Sequence, residues 1–225
     1  MKIKKVAIAF ILMIIVSLTL TGCGLFKDFD AKGYVQALLD QTFQGEVEKA
    51  AQIMEDTSEK ELKEEYEEGI ETFVINNIIG DAEVSDIMEQ QFIGLCEEIF
   101  LAMKYEVQDA EKIDKKEFQV KVEIQPADVF VNFVETVKVD SAELLEKANN
   151  GEYQGTDEEI HAQVQNDFLN HSYELLVSAY QSIQYGDKET VVLTVSGNDD
   201  NVYSADDEEM ADLIIKILRL DEIQD

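Results

Sequence analysis

The spacing of apolar residues along the chain predicts a body built mainly of helices. In six stretches apolar residues recur three or four positions apart, which is the period of one face of an α-helix. These stretches cover residues 34–43, 45–54, 57–80, 84–103, 156–183 and 206–220. The fourth has the broadest apolar face, so we expect it to be the central helix.

Polar residues beside these stretches predict where the helices begin and end. Ser58 and Glu61 have the spacing of a capping box, and Thr156 opens a second one. Gly45 is the expected end of the first helix, because glycine readily adopts the left-handed conformation that closes helices. Ser204 is the expected cap of the last helix.

Alternation of apolar and polar residues predicts two hairpins. Residues 118–125 alternate strictly, as does an antiparallel strand with one buried and one wet face, and residues 104–113 are the expected partner strand. Pro126 ends this hairpin because proline has no N–H to donate. Residues 189–205 predict a second hairpin, which turns in the segment SGNDDN.

Residues 127–151 fit two patterns. Their β-branched residues favour a strand, whereas Phe130, Val134 and Val137 lie at helical spacing. Residues 150–156 have the composition of a loop.

The order of elements repeats weakly along the chain. Twice an apolar helix runs through a tyrosine into strands and then to a helix start. We therefore predict an α+β fold, a helix-rich single domain with an antiparallel sheet of about four strands, built from two weakly similar helix-hairpin halves.

The first 22 residues have the pattern of a secretory signal peptide. Three lysines in the first five residues precede an uncharged apolar run at residues 6–20. That run is shorter than the roughly 20 residues of a membrane-spanning helix. The next residues, Leu20-Thr21-Gly22-Cys23, resemble the lipobox of bacterial lipoproteins. This resemblance implies cleavage between Gly22 and Cys23 and a diacylglyceryl group on the Cys23 sulfur.

The expected organisation follows from this cleavage. Residues 1–22 are the signal peptide, residues 23–29 a short lipidated tether, and residues 30–225 the extracytoplasmic domain. Two acyl chains such as palmitate hold a protein to a membrane stably, whereas one does so only marginally. We expect a lipid-anchored protein on the outer face of the cell membrane. The alternative is an uncleaved amino-terminal anchor, which would leave the domain on the same side.

The strong negative charge excludes some partners. Loss of residues 1–22 removes three lysines and no acid, so the net charge moves from −31 to −34. Such a surface repels nucleic acid and other polyanions. The acidity predicts either a solubilising surface or a surface that binds cations.

Several segments resemble an uncharacterised family of Gram-positive bacterial lipoproteins. The segments are FDAKGYVQALLDQTFQGEVEKA, IQPAD, YGDKETVVLTV and DDNVYSADDEEM, and the resemblance covers most of residues 29–220. It implies a helix, not a strand, after Pro126, and it carries no catalytic residue to transfer.

The chain lacks the common enzyme motifs. Its two histidines, His161 and His171, are not spaced as zinc ligands, and no nucleophile elbow, phosphate-binding loop or dinucleotide fingerprint occurs. We expect no catalytic residues, no cofactor and no enzymatic activity.

Calcium is the most concrete ligand to consider, because hard cations prefer carboxylate and carbonyl oxygens. Asp199, Asp200, Asp206 and Asp207 are weak candidates. The segment fails the EF-hand pattern, since Tyr203 stands where glycine is required. Hairpin-turn and helix-start chemistry explain the same residues, so we expect no metal site.

Two further residues are expected to be structural. Cys96 lies in an apolar helical stretch and is expected to be a buried thiol. Tyr153 is expected to anchor its loop half-buried, the alternative being an exposed recognition residue.

These observations predict a membrane-anchored exported lipoprotein that acts without catalysis, as a binding or cell-envelope accessory module with a protein partner in the envelope. The alternative is a domain that binds a soluble ligand or calcium.

Overall fold

The helices and strands follow the chain in a repeated order. The computed structural model describes residues 20–21, 29–54, 57–80 and 82–223, with only the backbone of 20–21. Within this part, the helices are α1 Ala31–Gln44, α2 Glu48–Ile53, α3 Glu59–Val74, α4 Asp86–Leu101, α5 Val129–Asn149, α6 Asp157–Gln181 and α7 Asp207–Ile217. The strands are β1 Lys104–Asp114, β2 Glu117–Gln125, β3 Glu189–Gly197 and β4 Val202–Ala205. A π-helical turn, Ile75–Ile79, and a 3₁₀ turn, Leu220–Glu222, complete them.

The four strands form one antiparallel sheet in the order β1-β2-β3-β4. Each neighbouring pair is antiparallel, and α5 and α6 connect the two central strands, β2 and β3. The backbone of Leu20–Thr21 lies antiparallel beside Val202 and Tyr203 at the outer edge of β4. The predicted α+β fold of two helix-hairpin halves that share a sheet is confirmed: α4-β1-β2-α5 is followed by α6-β3-β4-α7.

The sheet buries one face and leaves the other in solvent. Phe118, Val120, Val122 and Ile124 of β2 are at most 6% exposed, and Gln119 and Lys121 between them are exposed. The buried face contacts the helices in one continuous apolar core. The predicted alternation is confirmed, and the polar residues between the buried ones form an uncovered sheet face.

The most enclosed helix is α1, not α4 as predicted. Ten of the 14 residues of α1 are buried, whereas α4 buries six of 16. The difference arises because α1 lies between the sheet and the other helices, with contacts to β1 and β2 on one side and to α2, α3 and α4 on the others.

Most of the predicted helix ends are confirmed. Both capping boxes form, at Ser58 and at Thr156. Gly45 closes α1 in the left-handed conformation, with φ 63°. The cap of α7 was predicted wrongly at Ser204. Ser204 still pairs with Ser196 in the sheet, and the Asp206 carboxylate accepts the N–H groups of the first turn.

The segment after Pro126 is a helix, α5, in agreement with the family resemblance. Contacts with a residue outside this segment hold the start of α5. The Asp128 side chain accepts a hydrogen bond from the Gln184 backbone N–H at 2.8 Å. The Asp128 backbone N–H in turn donates to the Gln184 carbonyl at 3.1 Å. In the described residues, no helix is long and apolar enough to cross a membrane.

Candidate functional site

The predicted anchor residues, Gly22 and Cys23, lie outside the described residues. The described chain resumes at Phe29, whose ring stacks on Tyr203 with centroids 3.7 Å apart and planes 4° from parallel. Phe29 also lies 5.6 Å from the ring of Phe118. Phe29, the last residue of the predicted tether, therefore belongs to an aromatic cluster with Tyr203 and Phe118.

A buried carboxylate near the end of α1 is the centre of a polar network. Asp40 is 5% exposed, although it stands in the apolar sequence ALLDQTF. It is buried because α1 is enclosed on nearly all sides. A carboxylate removed from water is costly unless it is paired and hydrogen-bonded, so its partners decide whether this arrangement is stable.

Three side chains satisfy Asp40. Its Oδ1 atom accepts hydrogen bonds from the Tyr105 hydroxyl at 2.8 Å and from the Gln36 amide at 2.6 Å. The Lys49 ammonium lies 3.7 Å from Oδ2. The Gln44 amide donates to the Tyr105 hydroxyl at 2.8 Å. The network thus connects α1 to the start of β1 and to α2.

Tyr105 acts as a hydrogen-bond donor in this network. Burial and the hydrogen bond to Asp40 raise the pKa of the Tyr105 hydroxyl well above its usual value. The phenol therefore stays protonated, donates to the carboxylate and is a poor nucleophile. The arrangement can orient groups and hold a surface in place, and it contains no activated nucleophile.

A second buried polar group lies beside it in the sequence. Gln41 is 8% exposed, and its Oε1 atom has no hydrogen-bond partner in the described part of the structure. Ser172 of α6 is 2% exposed, and its hydroxyl likewise has no hydrogen-bond partner in the described part of the structure.

The four weak cation candidates are not brought together as ligands. Asp206 caps α7, and Asp199, Asp200 and Asp207 are exposed. The Lys116 ammonium donates to the carbonyl oxygens of Asn198 at 2.6 Å and of Asp199 at 3.3 Å, so a cationic group already occupies this turn. Among residues 29–54, 57–80 and 82–223, no group of three or more acidic, histidine or cysteine side chains could hold a metal ion.

Glu209, in the first turn of α7, makes a structural contact with β3. Its carboxylate accepts the backbone N–H of Thr194 at 2.5 Å and the Thr194 hydroxyl at 3.2 Å. The pairing of β3 with β4 ends at Val195. Glu209 therefore accepts the backbone N–H of Thr194, the next residue of β3 beyond this pairing.

The predictions for Cys96 and Tyr153 are confirmed. Cys96 is fully buried, and burial raises the pKa of its thiol. Tyr153 is half-buried, and its hydroxyl donates to Asp167 in α6 at 2.8 Å.

The two histidines have different environments. His161 is exposed on α6, whereas Nδ1 of His171 lies 2.8 Å from Oδ1 of Asp140 and joins α6 to α5. The pairing with Asp140 was not predicted, because the two residues are 31 positions apart.

Sequence reasoning also missed the Asp40 network. One signal was readable, namely a carboxylate in the middle of an apolar helical stretch. The partner Tyr105 was not readable, because it lies 65 positions away on a strand.

The uncovered sheet face is the other surface of interest. It carries polar residues from all four strands and one apolar residue of moderate exposure, Val192, at 37%. Its outward residues are Lys104, Glu106 and Glu111 of β1, Glu117, Gln119, Lys121, Glu123 and Gln125 of β2, Thr190, Val192, Thr194 and Ser196 of β3, and Ser204 of β4.

Comparison with known proteins assigns neither a family nor a function to this chain. No protein-family model matches the chain, and no curated protein sequence matches it significantly. Among solved structures, that of a presumed lipoprotein, ycdA, of Bacillus subtilis strain 168 is similar, with 14% sequence identity and a TM-score of 0.47. The similarity covers 84% of this chain and 56% of that one, so this chain spans just over half the length of its neighbour. No functional residue is carried over from this neighbour.

Proposed function

We propose that this protein is an exported lipoprotein, anchored to the outer face of the cell membrane through Cys23, that acts as a non-catalytic binding or envelope-accessory module. The observation that carries the proposal is the order of a basic segment, an uncharged apolar run and Leu20-Thr21-Gly22-Cys23. A diacylglyceryl group on Cys23 would hold the domain without a membrane-spanning helix.

Two features of the domain support a binding role. The uncovered sheet face presents polar groups on a regular, rigid scaffold, and non-obligate protein interfaces are about as polar as the rest of a protein surface. The Asp40–Tyr105 network fixes α1 against β1 through hydrogen bonds and contains no activated nucleophile. Both features suit recognition better than catalysis.

The anchor is tested by exchanging each cysteine in turn. We expect Cys23→Ser to be released from the membrane fraction and to lose incorporated palmitate. Cys96→Ser is the matched control, because it also removes one thiol but lies in the core, and it should stay in the membrane fraction. Equal membrane retention and labelling of both variants would contradict lipid anchoring.

The binding role is tested by crosslinking in intact membranes. We expect a discrete envelope protein to be captured, and Lys121→Glu on the uncovered sheet face to abolish its capture. Lys216→Glu, the same charge reversal at an exposed position of α7, should leave capture unchanged. Capture of no partner, or equal capture by both variants, would argue against this face as the binding surface.

A further inference from the structure

The structure also indicates which end of the domain faces the membrane. The two hairpin turns, residues 114–117 and 198–201, lie side by side at one end of the sheet, which we call the hairpin-turn end. The Gly197 backbone N–H donates to the Lys116 carbonyl at 2.7 Å, and the Lys116 ammonium donates to the Asn198 carbonyl. The loop at residues 182–188 lies at the opposite end, where Tyr185 pairs with Ala127 just beyond β2.

The tether leaves from the hairpin-turn end. Phe29 stacks on Tyr203 and packs near Phe118, and these are the second residues of β4 and β2. Phe118 directly follows the first turn, and Tyr203 follows the second. The point of attachment is therefore next to both turns.

Chain length limits how far the anchor can lie from this point. Cys23 precedes Phe29 by six residues, which reach at most about 20 Å when fully extended. From Phe118 to Gln125 the sheet continues for seven residues, or about 24 Å. An anchor at Cys23 therefore cannot pass beyond the far end of the sheet.

We infer that the hairpin-turn end faces the lipid bilayer and that the end with the loop at residues 182–188 faces away from it. This inference rests on the proposed lipid anchor. The Asp40–Tyr105 network then lies toward the distal side, because α1 runs about 21 Å from the tether attachment to Gln44, beside Tyr105. A partner in the envelope would meet this side of the domain first.

The chain contains no tryptophan, so single-tryptophan variants report on one position each. Asp199→Trp places the probe in the second turn, and Asp187→Trp places it in the opposite loop. Both positions are exposed aspartates, so the two variants change charge and side chain identically. The full-length chain is expressed so that it is processed, and each mature variant is reconstituted into phosphatidylcholine vesicles that carry nitroxide-labelled headgroups.

We expect tryptophan emission at position 199 to be quenched several-fold more strongly than at position 187. Asp200→Trp, one position along the same turn, provides the second probe if Asp199→Trp does not fold. Equal quenching at both ends, or stronger quenching at position 187, would overturn the orientation. Mass analysis of the same samples separates the two proposals: a chain without lipid at Cys23 refutes the anchor and the orientation together, whereas a lipidated chain with equal quenching refutes only the orientation.

Discussion

At the scale of single residues, the fold depends on how one buried charge is satisfied. Asp40 is stable in the core because Tyr105, Gln36 and Lys49 surround its carboxylate. Removing one partner of a buried polar group costs more than the net value of the bond, since the remaining group stays away from water.

Tyr105→Phe therefore should destabilise the protein. The substitution removes the hydroxyl that donates to Asp40 and accepts from Gln44, with an expected loss of about 1–3 kcal/mol in the free energy of unfolding. Urea denaturation measures this loss as a lower midpoint with an unchanged slope.

Tyr153→Phe is the matched control. It removes a tyrosine hydroxyl that also donates to an aspartate, but Asp167 is partly exposed whereas Asp40 is buried, so we expect a loss of about 0.5 kcal/mol or less. If both variants lose the same stability, the burial of Asp40 does not set the cost.

Tyr34 makes the stability of the protein pH-dependent in the alkaline range. The residue is 3% exposed, and burial raises the pKa of its hydroxyl to about 12. In the unfolded chain a tyrosine titrates near pH 10, so between these values the folded state holds the proton more tightly. Stability is then fully present below about pH 10 and decreases as the pH rises toward 12, by about 2 kcal/mol.

Thermal unfolding followed from pH 8 to pH 12 measures this decrease, and Tyr34→Phe should make it shallower. Tyr66, whose pKa is also raised to about 12 by burial, supplies part of the remaining slope. An identical alkaline slope in Tyr34→Phe and wild type would show that Tyr34 is not responsible.

What the sequence reveals about a residue depends on how local its contacts are. The burial of Cys96 follows from the apolar positions around it in its own helix, and it was predicted. The Asp40–Tyr105 and His171–Asp140 contacts join residues 65 and 31 positions apart, and nothing near either residue indicates its partner.

At the scale of elements, Gly45 sets the turn between α1 and α2. Its φ of 63° is strained for residues with a Cβ, and a Cβ there would lie 2.8 Å from the ring of Tyr66. Gly45→Ala should therefore lower the free energy of unfolding. The left-handed conformation of alanine accounts for about 1–2 kcal/mol of this loss, and the displacement of Tyr66 adds to it.

Gly151→Ala is the control for this substitution, because φ is 73° there but no atom lies within 4 Å of the added Cβ. Its free energy of unfolding should fall only by the cost of the left-handed conformation. Denaturation midpoints that fall equally in the two variants would show that the contact with Tyr66 adds nothing.

Helix starts were predicted well where capping is a local pattern, as at Ser58 and Thr156. The start of α7 was missed because Ser204 and Asp206 are both good caps, and only the pairing of Ser204 with Ser196 decides between them. For α5 the residues fit both a strand and a helix, and the contacts of Asp128 with Gln184 fix its start from outside the segment.

At the scale of the whole molecule, the negative charge opposes folding. With 49 acidic and 18 basic residues, like charges are brought together when the chain becomes compact. The repulsion acts over the Debye length, which falls from about 30 Å at 0.01 M salt to about 3 Å at 1 M.

We therefore expect the melting temperature to rise as sodium chloride is added over this range. Sucrose, which stabilises by exclusion from the surface and does not screen charge, is the control for a general solute effect. A melting temperature that stays constant or falls with salt would contradict repulsion as a determinant of stability.

The architecture was predictable at this scale because two alternating patterns and repeated helix-hairpin order restrict the possible sheets. The strand order and the placement of α1 against the sheet were not, since they depend on how distant apolar faces pack together. The wet face of β2 was predicted from its alternation, whereas the extent of the uncovered face across four strands depends on the strand order.

The proposed anchoring and the orientation of the domain at the membrane both depend on the chemical state of Cys23. Mass spectrometry of the amino-terminal peptide of the protein isolated from membranes measures that state directly. We predict a peptide that begins at Cys23 and carries the mass of a diacylglyceryl group. A peptide that retains residues before Cys23, or that begins at an unmodified Cys23, would contradict lipid anchoring through Cys23.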